Sequence, residues 1–269
     1  MAPLVSIVTV SLNAVGTIED TLASVSLQRR GFSIEHICVD GGSTDATRTT
    51  IDAWAERYEH VRRIYERDRG IYDAMNKGLR AASGQYVMFL NADDFLVSPD
   101  TLATVLAGID TDEHRNPDLI VGDVAMGTIG AVGVWRHRRV PRLLQKLRGA
   151  GLFTVHQGVF AKRRLLEEVG GFDANLRISS DTNQYYDLER KYPLTMRIVP
   201  VDVAFMRAGG AANSGWKAMN TGTGEVYRHL RGIYGPLRAT SMTLVKTLQS
   251  LTELRWGRCP HERWFSSQC

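Results

Sequence analysis

The sequence predicts an α/β protein, a three-layer α/β/α sandwich around a mostly parallel central sheet. Two observations carry this prediction. Through the first half of the 269-residue chain, short apolar runs alternate with segments in which apolar residues recur every three or four positions, and this alternation indicates strands separated by amphipathic helices. Polar or acidic residues directly follow three of the apolar runs, as expected where parallel strands end at a ligand-binding edge of a sheet.

The strands of the first half are predicted from five short apolar runs. Because alternating strands and helices make parallel connections, we expect these runs to share one sheet. The predicted strands are Val5 to Val10, His36 to Val39, Val61 to Tyr65, Tyr86 to Leu90 and Leu119 to Gly122.

Helices are predicted between these strands from apolar residues at helical spacing. Ser98-Pro99 is predicted to cap the fourth helix. The positions that define the four helices are Ile18, Leu22 and Val25, then Ile51, Trp54, Ala55 and Tyr58, then Met75, Leu79 and Ala82, and finally Leu102, Val105 and Leu106.

The second half of the chain is less regular. It begins with a β-like segment from Val155 to Phe160, and a helix from Arg163 to Val169 follows, stopped by Gly170-Gly171. We then expect a helix from about Asp181 to Lys191 and a β-like segment from Leu194 to Met206. No internal repeat and no low-complexity linker divides the sequence.

Composition predicts a protein of the reducing cytosol. A chain of this length with 43% hydrophobic residues can bury a full core. Its three cysteines, Cys38, Cys259 and Cys269, are an odd number, and Cys38 lies in a predicted buried strand, where it acts as a small hydrophobe. Met1-Ala2-Pro3 leads directly into the first strand without the pattern of a secretory signal, and no apolar run is long enough to span a bilayer.

The C-terminal segment is basic. From Val226 onward it carries seven Lys or Arg residues against two Glu, with apolar residues at helical intervals between the cations. Two interpretations remain open: an amphipathic helix on an anionic membrane, or a helix packed on the protein with its basic side in solvent. A second basic stretch, Arg136 to Arg148, favours peripheral contact with the inner face of the cell membrane. Nucleic acid is not expected as a partner, because no base-reading module accompanies the charge.

An acidic pair follows the fourth predicted strand directly. Asp93 and Asp94 come after Tyr86 to Leu90, and two ionised carboxylates so close repel unless a cation relieves the repulsion. A hard divalent cation such as Mg²⁺ or Mn²⁺ would do so and would also recruit phosphate oxygens. The alternative is a helix N-cap followed by a solvated turn acid.

Two further predicted strands end in polar residues. Asp40 stands at the end of the second, followed by Gly41 and Gly42, which permit positive φ, and Ser43 or Asp45 can cap the next helix. The first strand ends at Ser11-Leu12-Asn13. Three polar strand ends at one sheet edge favour a ligand site over unrelated turns.

Two nucleotide-binding classes are disfavoured. The residues after the first strand, Ser11 to Gly16, lack the glycine-rich turn that brings a pyrophosphate onto a helix N-terminus. A Gly-x-x-x-x-Gly-Lys-Ser/Thr loop is also absent from the sequence. What remains is a sheet that binds a nucleotide through side chains at strand ends and its diphosphate through a metal.

An ordered set of motifs resembles the family 2 glycosyltransferases, which have the GT-A fold. Within that family the sequence is most similar to bacterial sugar transferases that build cell-surface polysaccharides and glycolipids. The similarity extends to about Gly215 and implies a GT-A domain over 1–215, with a nucleotide-sugar-binding half at 1–125, an acceptor-side half at 126–215 and a basic amphipathic extension at 216–269. The motifs are residues 6–13, 39–45, 68–78, 89–94, 156–157 and 170–173.

The resemblance implies a divalent metal, Mn²⁺ or Mg²⁺, at the acidic pair. Asp93 is the first expected ligand and Asp94 supports it. The family usually carries Asp-x-Asp here, whereas this chain has Asn91-Ala92-Asp93. The amide oxygen of Asn91 can coordinate the ion or hydrogen-bond ribose, but it adds no charge.

The resemblance also implies a set of donor-binding residues. Asp40 would accept a hydrogen bond from the base imide, although ordinary strand-end hydrogen bonding is the alternative for Thr9 and Ser11. Asp73 and Lys77, one helical turn apart, could instead form an ion pair with each other. The residues expected at the donor are Thr9, Ser11, Asn13, Asp40, Gly42, Arg69, Asp73, Asn76, Asn91, Ala92 and His156.

A catalytic base is implied shortly after the Gly171-Phe172-Asp173 segment, because an acceptor hydroxyl attacks well only as its proton is removed. Asp181 occupies the matching position. The alternative is that Asp181 only caps its helix, in which case Asp173 is the second candidate. Relatives often carry another acid two residues on, where this chain has Asn183.

These expectations describe an inverting glycosyltransferase that moves a sugar from a nucleotide-diphospho-sugar to a hydroxyl of a lipid-linked or cell-envelope glycan, or of a glycolipid. Two other classes remain open. One is a sugar-phosphate nucleotidyltransferase, which also needs acids and a metal on an α/β sheet. The other is a catalytically silent nucleotide-sugar-binding protein, which the Asn91 and Asn183 departures allow.

Overall fold

The computed structural model describes residues 3–29, 31–110, 115–129, 132–138, 155–209, 216–252 and 254–258. Within these ranges the strands form one sheet, and helices pack on both of its faces. In chain order the elements are β1 (Val5–Ser11), α1 (Ile18–Ser26), β2 (Ile34–Asp40), α2 (Thr47–Arg57), β3 (Val61–Tyr65), α3 (Ile71–Ala81), β4 (Tyr86–Phe89), β5 (Phe95–Leu96), α4 (Thr101–Val105), β6 (Leu119–Gly127), β7 (Val132–Arg138), β8 (Val159–Lys162), α5 (Arg163–Glu168), α6 (Ser180–Lys191), β9 (Met196–Arg207), α7 (Trp216–Tyr234), α8 (Pro236–Thr252) and β10 (Leu254–Arg258).

The sheet has a parallel half and an antiparallel half. Strands β4, β1, β2 and β3 lie side by side in that order, and all their pairings are parallel. This arrangement confirms the predicted α/β sheet and aligns the carboxyl ends of the four strands at one edge. Beyond β4 the sheet continues through β8, β6, β7 and β10 in antiparallel pairings, while β9 pairs in parallel with β6.

Alternate residues of the parallel strands face different helix layers. Val8 packs with α3 residues such as Met75, whereas Cys38 packs with Ile18 and Ile51 from α1 and α2. Both faces of β1 and β2 are buried along their whole length, as expected for parallel strands that helices cover on both sides. The layers therefore match the predicted three-layer sandwich.

The buried thiol of Cys38 confirms its prediction as a small hydrophobe. Its side chain is fully buried in β2 and forms no disulfide. Burial raises the pKa of Cys38 to about 12, so the thiol stays protonated and unreactive at neutral pH.

Several predicted boundaries are wrong in detail. A 3-10 turn, His156–Gly158, occupies the start of the β-like segment predicted from Val155, and β8 begins only at Val159. Helix α4 is preceded by Asp100 rather than capped by Ser98-Pro99. Strand β6 runs five residues past its predicted end, because pairing with β9 and β7 extends it beyond Gly122.

The C-terminal segment packs on the rest of the protein. Helices α7 and α8 bury an apolar cluster that includes Leu230 and Met242 against Tyr186 of α6, and β10 pairs with β7 at the edge of the sheet. The opposite side of α8 is different, because Leu237 and Leu244 are exposed. Of the second predicted basic stretch, residues 139–148 lie outside the described residues.

The described helices differ from membrane-spanning ones. None of them combines the length and apolarity that crossing a bilayer requires.

A buried histidine makes the stability of this fold sensitive to acid. His36 in β2 is fully buried, and its Nε2 lies 2.9 Å from Thr9 Oγ1. Burial, together with repulsion from the charge of His60, lowers the pKa of His36 from 6.5 to about 3. The folded protein therefore requires the neutral imidazole.

We predict that stability falls as the pH drops from about 6.5 toward 3, because the unfolded chain binds a proton at His36 and the folded chain does not. The loss from this group is about 1.4 kcal/mol per pH unit below its unfolded pKa. His36→Gln retains a hydrogen-bonding side chain without titrating and should flatten the pH dependence. Urea unfolding of both proteins at about pH 7 and pH 5 measures how much free energy of unfolding each loses on acidification. Equal losses in the wild type and in His36→Gln would contradict the prediction.

Candidate active site

The acidic pair lies where the chain leaves the parallel sheet. After β4 the backbone continues alongside β1, with Leu90 N donating to Val8 O at 2.9 Å and Ala92 N donating to Val10 O at 3.3 Å. Asp94 N then donates to Asn91 O at 3.0 Å. This turn brings the two carboxylates to the carboxyl edge of the sheet, as the sequence predicts.

Asp94 is the buried member of the pair. Only 2% of the residue is exposed, and its carboxylate accepts hydrogen bonds from Gln157 Nε2 at 2.7 Å and from Arg207 N at 3.2 Å. Burial and the neighbouring charge of Asp93 raise the pKa of Asp94 well above its ordinary value. The solvated-turn alternative therefore does not apply to Asp94, which anchors the turn to two other parts of the fold.

Asp93 is the more accessible acid and fits a cation. Burial raises the pKa of Asp93, and the charges of Arg207 and His156 offset part of that effect. The neighbouring Asn91 has a buried Oδ1 with no hydrogen-bond partner among the described residues. A carboxylate beside a free amide oxygen suits a hard divalent ion, so the residues present fit the Mn²⁺ or Mg²⁺ that the motif implies.

Arg207 is a residue of this site that the sequence did not reveal. It ends β9, forms an ion pair with Asp20 and lies over the ring of Phe95 at 5.5 Å from its centroid. Its charge lowers the pKa of both Asp93 and Asp94 against the larger effect of burial. No pattern distinguishes a single cation at the end of a long predicted strand.

The expected base and the expected binding histidine are directly bonded. His156 Nδ1 lies 3.0 Å from Asp181 Oδ2, and both residues are buried. The other ring nitrogen, His156 Nε2, is buried and has no partner among the described residues. Gln157, the next residue in the chain, donates to Asp94 at 2.7 Å, so the turn that carries His156 links the predicted base to the acidic pair.

Asp181 is held as a carboxylate. Burial alone would raise the pKa of Asp181, but hydrogen bonding to His156, the charges of His156 and Lys246, and the amide of Thr182 together lower it. Thr182 N donates to Asp181 Oδ1 at 2.8 Å, and Tyr72 Oη lies 3.4 Å from the same oxygen. The group is thus ionised at neutral pH, as a base must be.

The alternatives to Asp181 are weaker in the structure. Ser179, not Asp181, occupies the N-cap of α6, so helix capping does not account for the carboxylate. Asp173 is exposed, and its Oδ1 accepts from both N and Nδ2 of Asn175 at 2.9 Å. Asp173 therefore serves as a turn residue.

Asp40 organises the loop after β2. Its carboxylate accepts from Ser11 Oγ at 3.1 Å, Gly42 N at 3.1 Å and Ser43 N at 2.9 Å, from the hydroxyl of Ser43, and from Arg48 Nε at 2.7 Å. Burial raises the pKa of Asp40, but these hydrogen bonds lower it below its ordinary value. Five donors saturate the lone pairs of one carboxylate. Contact with a base imide stays a prediction, and it would require one of these donors to be exchanged.

Gly42 and Asn13 shape the same loop. Gly42 has φ +117°, which a side chain rarely tolerates, and Asn13 has φ 51°. Asn13 Oδ1 accepts from Thr44 N at 2.9 Å, and Asn13 N donates to Ser43 Oγ at 2.7 Å. These bonds join the ends of β1 and β2, so the expected nucleotide residues form a coherent group.

Thr9 is placed differently from its prediction. It is completely buried, and its hydroxyl is paired with His36 inside the sheet. The alternative of ordinary hydrogen bonding within the strands is therefore the one that the structure shows for Thr9.

The loop before α3 combines an exposed arginine with an acid that pairs with it, since Arg69 Nη2 lies 3.7 Å from Asp73 Oδ1. Arg69 has an 83% exposed side chain, and its backbone N donates to Asp73 Oδ2 at 3.1 Å. Lys77 lies 3.5 Å from Asp73 and 3.1 Å from Glu66, so the predicted Asp73–Lys77 ion pair forms. Donor contacts from Arg69 and Asp73 stay predictions.

Asn76 holds two parts of the fold together. Its Nδ2 donates to Phe172 O, and its Oδ1 accepts from Phe172 N, both at 2.8 Å. A Cβ at Gly171 would lie only 2.4 Å from Asn76 Oδ1. Both ends of the amide therefore help to dock the turn after α5 onto α3, and a contact of Asn76 with the sugar donor stays a prediction.

A second group of described residues could hold a metal. Asp123, His137 and Asp202 lie on β6, β7 and β9, with one ligand atom from each within 4.8 Å of the others. His137 Nε2 lies 2.5 Å from Asp202 Oδ1, so this contact already satisfies part of the group. No local pattern in the sequence associates these three residues, because they meet only through the pairing of β6 with β7 and with β9.

The predicted residues thus fall into two groups at one edge of the sheet. Asp93, Asp94, His156 and Asp181 form a connected cluster, while Ser11, Asn13, Asp40 and Gly42 form the loop beside it at the ends of β1 and β2. Since β4, β1 and β2 are adjacent and parallel, both groups open at the same side, where α/β enzymes bind their ligands.

The sequence of residues 6–170 matches the model of the family described as glycosyl transferase family 2. The chain belongs to this family and is a glycosyltransferase of the GT-A fold. It is 34% identical over 220 residues to a PGL/p-HBAD biosynthesis glycosyltransferase of Mycobacterium bovis, a match that covers 79% of this chain and 80% of the relative.

Solved structures support the same fold. Residues 1–349 of S. aureus TarS in complex with UDP-GlcNAc superpose with a TM-score of 0.65 at 18% identity, covering 92% of this chain and 72% of that one. A longer TarS chain is matched over 43% of its length. The mannosyltransferase PcManGT of Pyrobaculum calidifontis, in complex with GDP-Man and Mn²⁺, gives a TM-score of 0.60 at 19% identity, covering 94% and 76%.

Replacement of Asp93 should show which of the two candidate groups binds the metal. We expect Asp93→Asn to weaken Mn²⁺ binding by more than about tenfold. Even the loss of a residue that only hydrogen-bonds a metal ligand typically weakens metal binding by that much. Asp93→Asn should also raise the metal-free Tm by about 2–4 °C, because it removes a buried like charge beside Asp94. Calorimetric titration with Mn²⁺ and a thermal melt measure the two effects.

The matched control is Asp202→Asn in the second group. It should leave Mn²⁺ affinity at the acidic pair unchanged. Loss of the ion in Asp202→Asn, with full binding retained in Asp93→Asn, would contradict the assignment.

Proposed function

We propose that this glycosyltransferase transfers a sugar, with inversion, from a nucleotide-diphospho-sugar to a hydroxyl of a lipid-linked or cell-envelope glycan. The observation that carries the proposal is the bonded Asp181–His156 pair, which its 3-10 turn joins to the Asp93–Asp94 acids through the hydrogen bond from Gln157 to Asp94. This arrangement supports Asp181 as a base in the same cluster as the two acids, which we assign to a diphosphate-bound cation.

The donor is assigned to the edge formed by β4, β1 and β2. The loop built by Asn13, Asp40 and Gly42 lies beside the acidic pair, so a nucleoside at the loop would direct its diphosphate toward Asp93. UDP-GlcNAc and GDP-Man in the structural neighbours support a nucleotide-sugar donor. When bound, a divalent ion would offset the negative charge that grows on the departing diphosphate.

Asp181 is assigned the role of general base. The acceptor oxygen attacks the anomeric carbon, its proton passes to a carboxylate oxygen of Asp181, and the bond from the anomeric carbon to the diphosphate oxygen breaks with its electron pair on that oxygen. Displacement from the opposite side inverts the anomeric configuration. His156 orients the carboxylate through Nδ1 and keeps Nε2 available for a hydroxyl of either substrate.

The acceptor is assigned to a lipid-linked glycan or glycolipid because of α8. Leu237 is 89% exposed, and Leu244 and Val245 are also exposed on this helix, close to the exposed cation Arg238. Exposed apolar residues with neighbouring cations suit peripheral contact with an anionic membrane surface, such as the inner face of the cell membrane.

We expect Asp181→Asn to leave only residual transfer while keeping donor affinity within about twofold, because the amide keeps the shape but cannot take the proton. Transfer is measured with a panel of nucleotide-sugars in the presence of Mn²⁺ and a membrane-lipid extract as acceptor source, and donor binding by calorimetry. The anomeric proton coupling of the product, followed by NMR, reports inversion. Full transfer by Asp181→Asn would exclude it as the base.

Membrane contact is tested with vesicles. The wild type should co-sediment with phosphatidylglycerol vesicles and less so at high salt, and Leu237→Ser combined with Leu244→Ser should reduce binding about tenfold or more. Met219→Ser, which removes an exposed apolar side chain from α7 instead, is the matched control. Equal binding by the α8 variant and the wild type would refute the contact.

A further inference from the structure

A buried carboxylate on α7 binds the backbone that leads into α6. Glu225 accepts hydrogen bonds from three successive N–H groups: Arg177 N to Oε1 at 2.9 Å, Ile178 N to Oε2 at 3.0 Å and Ser179 N to Oε2 at 2.9 Å. Asp181 follows two residues later. The contact therefore lies immediately before the residue proposed as the base.

Because Glu225 is buried, its carboxylate needs hydrogen bonds from the protein. Glu225 is only 4% exposed, and a buried carboxylate is costly unless hydrogen bonds replace its water. The three amides supply those bonds, and they are charge-assisted. Its charge also faces the N-terminal end of α6, which the helix dipole makes favourable for an anion.

Close backbone packing reinforces the contact one turn earlier on α7. Ser179 Oγ donates to Gly222 O at 3.1 Å. A Cβ at Gly222 would lie 2.8 Å from Ile178 Cγ2 and 3.0 Å from Ser179 Oγ, so glycine lets the two segments meet this closely. We call the contacts of Glu225 and Gly222 with residues 177–179 the α7 clamp.

Helix α8 reaches the same turn of α6 from another direction. Lys246 Nζ lies 3.0 Å from Thr182 Oγ1, next to Asp181. Both C-terminal helices are fixed to α6 through an apolar cluster that includes Tyr186, Val226 and Leu230. The first turn of α6 is thus supported by helices that follow the catalytic residues in the chain.

We infer that Glu225 is a positioning residue for Asp181: through the α7 clamp it fixes the first turn of α6, and so sets where the Asp181 carboxylate meets the acceptor hydroxyl. The inference rests on the proposed role of Asp181. It also assigns the C-terminal helices a part in sugar transfer, in addition to any contact with membrane.

Glu225→Gln tests the inference with minimal change in shape. The amide keeps one acceptor oxygen, but its NH₂ group cannot accept from a backbone N–H. We expect kcat for transfer to fall about 10- to 100-fold, as small misplacements of catalytic groups do, while the donor Kd stays within about twofold. Amide hydrogen exchange at Ile178 and Ser179 should accelerate. Glu56→Gln, the same substitution at an exposed position of α2, is the matched control and should change none of these.

A double variant separates positioning from general stability. In an Asp181→Asn background, Glu225→Gln should cause no further loss of residual transfer, because the two residues act as one unit. Additive losses, or unchanged kcat in the single variant, would overturn the inference. If Glu225→Gln does not fold, Ser179→Ala removes one bond of the clamp and should give a smaller loss of kcat at unchanged donor Kd.

Failure of the positioning role of Glu225 gives a different result from failure of the proposed function. Full transfer by Asp181→Asn would refute Asp181 as the base, whatever Glu225 does. Inactive Asp181→Asn together with fully active Glu225→Gln would refute the positioning role alone.

Discussion

The candidate active site depends on keeping two adjacent carboxylates together in a largely buried turn. Burial and mutual repulsion both disfavour the ionised pair, as the raised pKa values of Asp93 and Asp94 show. The protein offsets this with the amide of Gln157, the backbone N–H of Arg207 and the charge of its guanidinium. Those contacts come from the 3-10 turn before β8 and from the end of β9. The second half of the chain is therefore required to hold an acidic turn that the first half provides.

The two groups at the sheet edge differ in how completely they are bonded. Around Asp40 both carboxylate oxygens accept hydrogen bonds from protein donors, which hold the loop in place without a ligand. Around Asp93 the buried Oδ1 of Asn91 and Nε2 of His156 have no partners among the described residues. Buried polar atoms are normally paired in folded proteins. This contrast suits a site in which one group provides a rigid shape and the other leaves its hydrogen bonds to be completed by ligand or water.

The sequence predicts the site where a local pattern places a residue. An apolar run that ends in acids placed Asp93 and Asp94 at the sheet edge, and the same logic placed Asp40. Prediction from the sequence fails where a residue's hydrogen-bonding partner lies far away along the chain. The amide of Asn76 bonds Phe172, 96 positions away, and Asp94 bonds Arg207, 113 positions away. Strands β7 and β10 were also missed, because short strands with mixed polar and apolar residues lack a clear period.

Glu225 and Lys246 have a consequence for the order in which the protein matures. Each contacts the start of α6 across a separation of 46 and 64 residues, respectively, and a ribosome makes both after α6. A nascent chain that already holds the parallel sheet and the acids Asp93, Asp94 and Asp181 would still have an unsupported α6. Competence for transfer would then arise late in translation, when the last helices fold back and lock the earlier part of the chain.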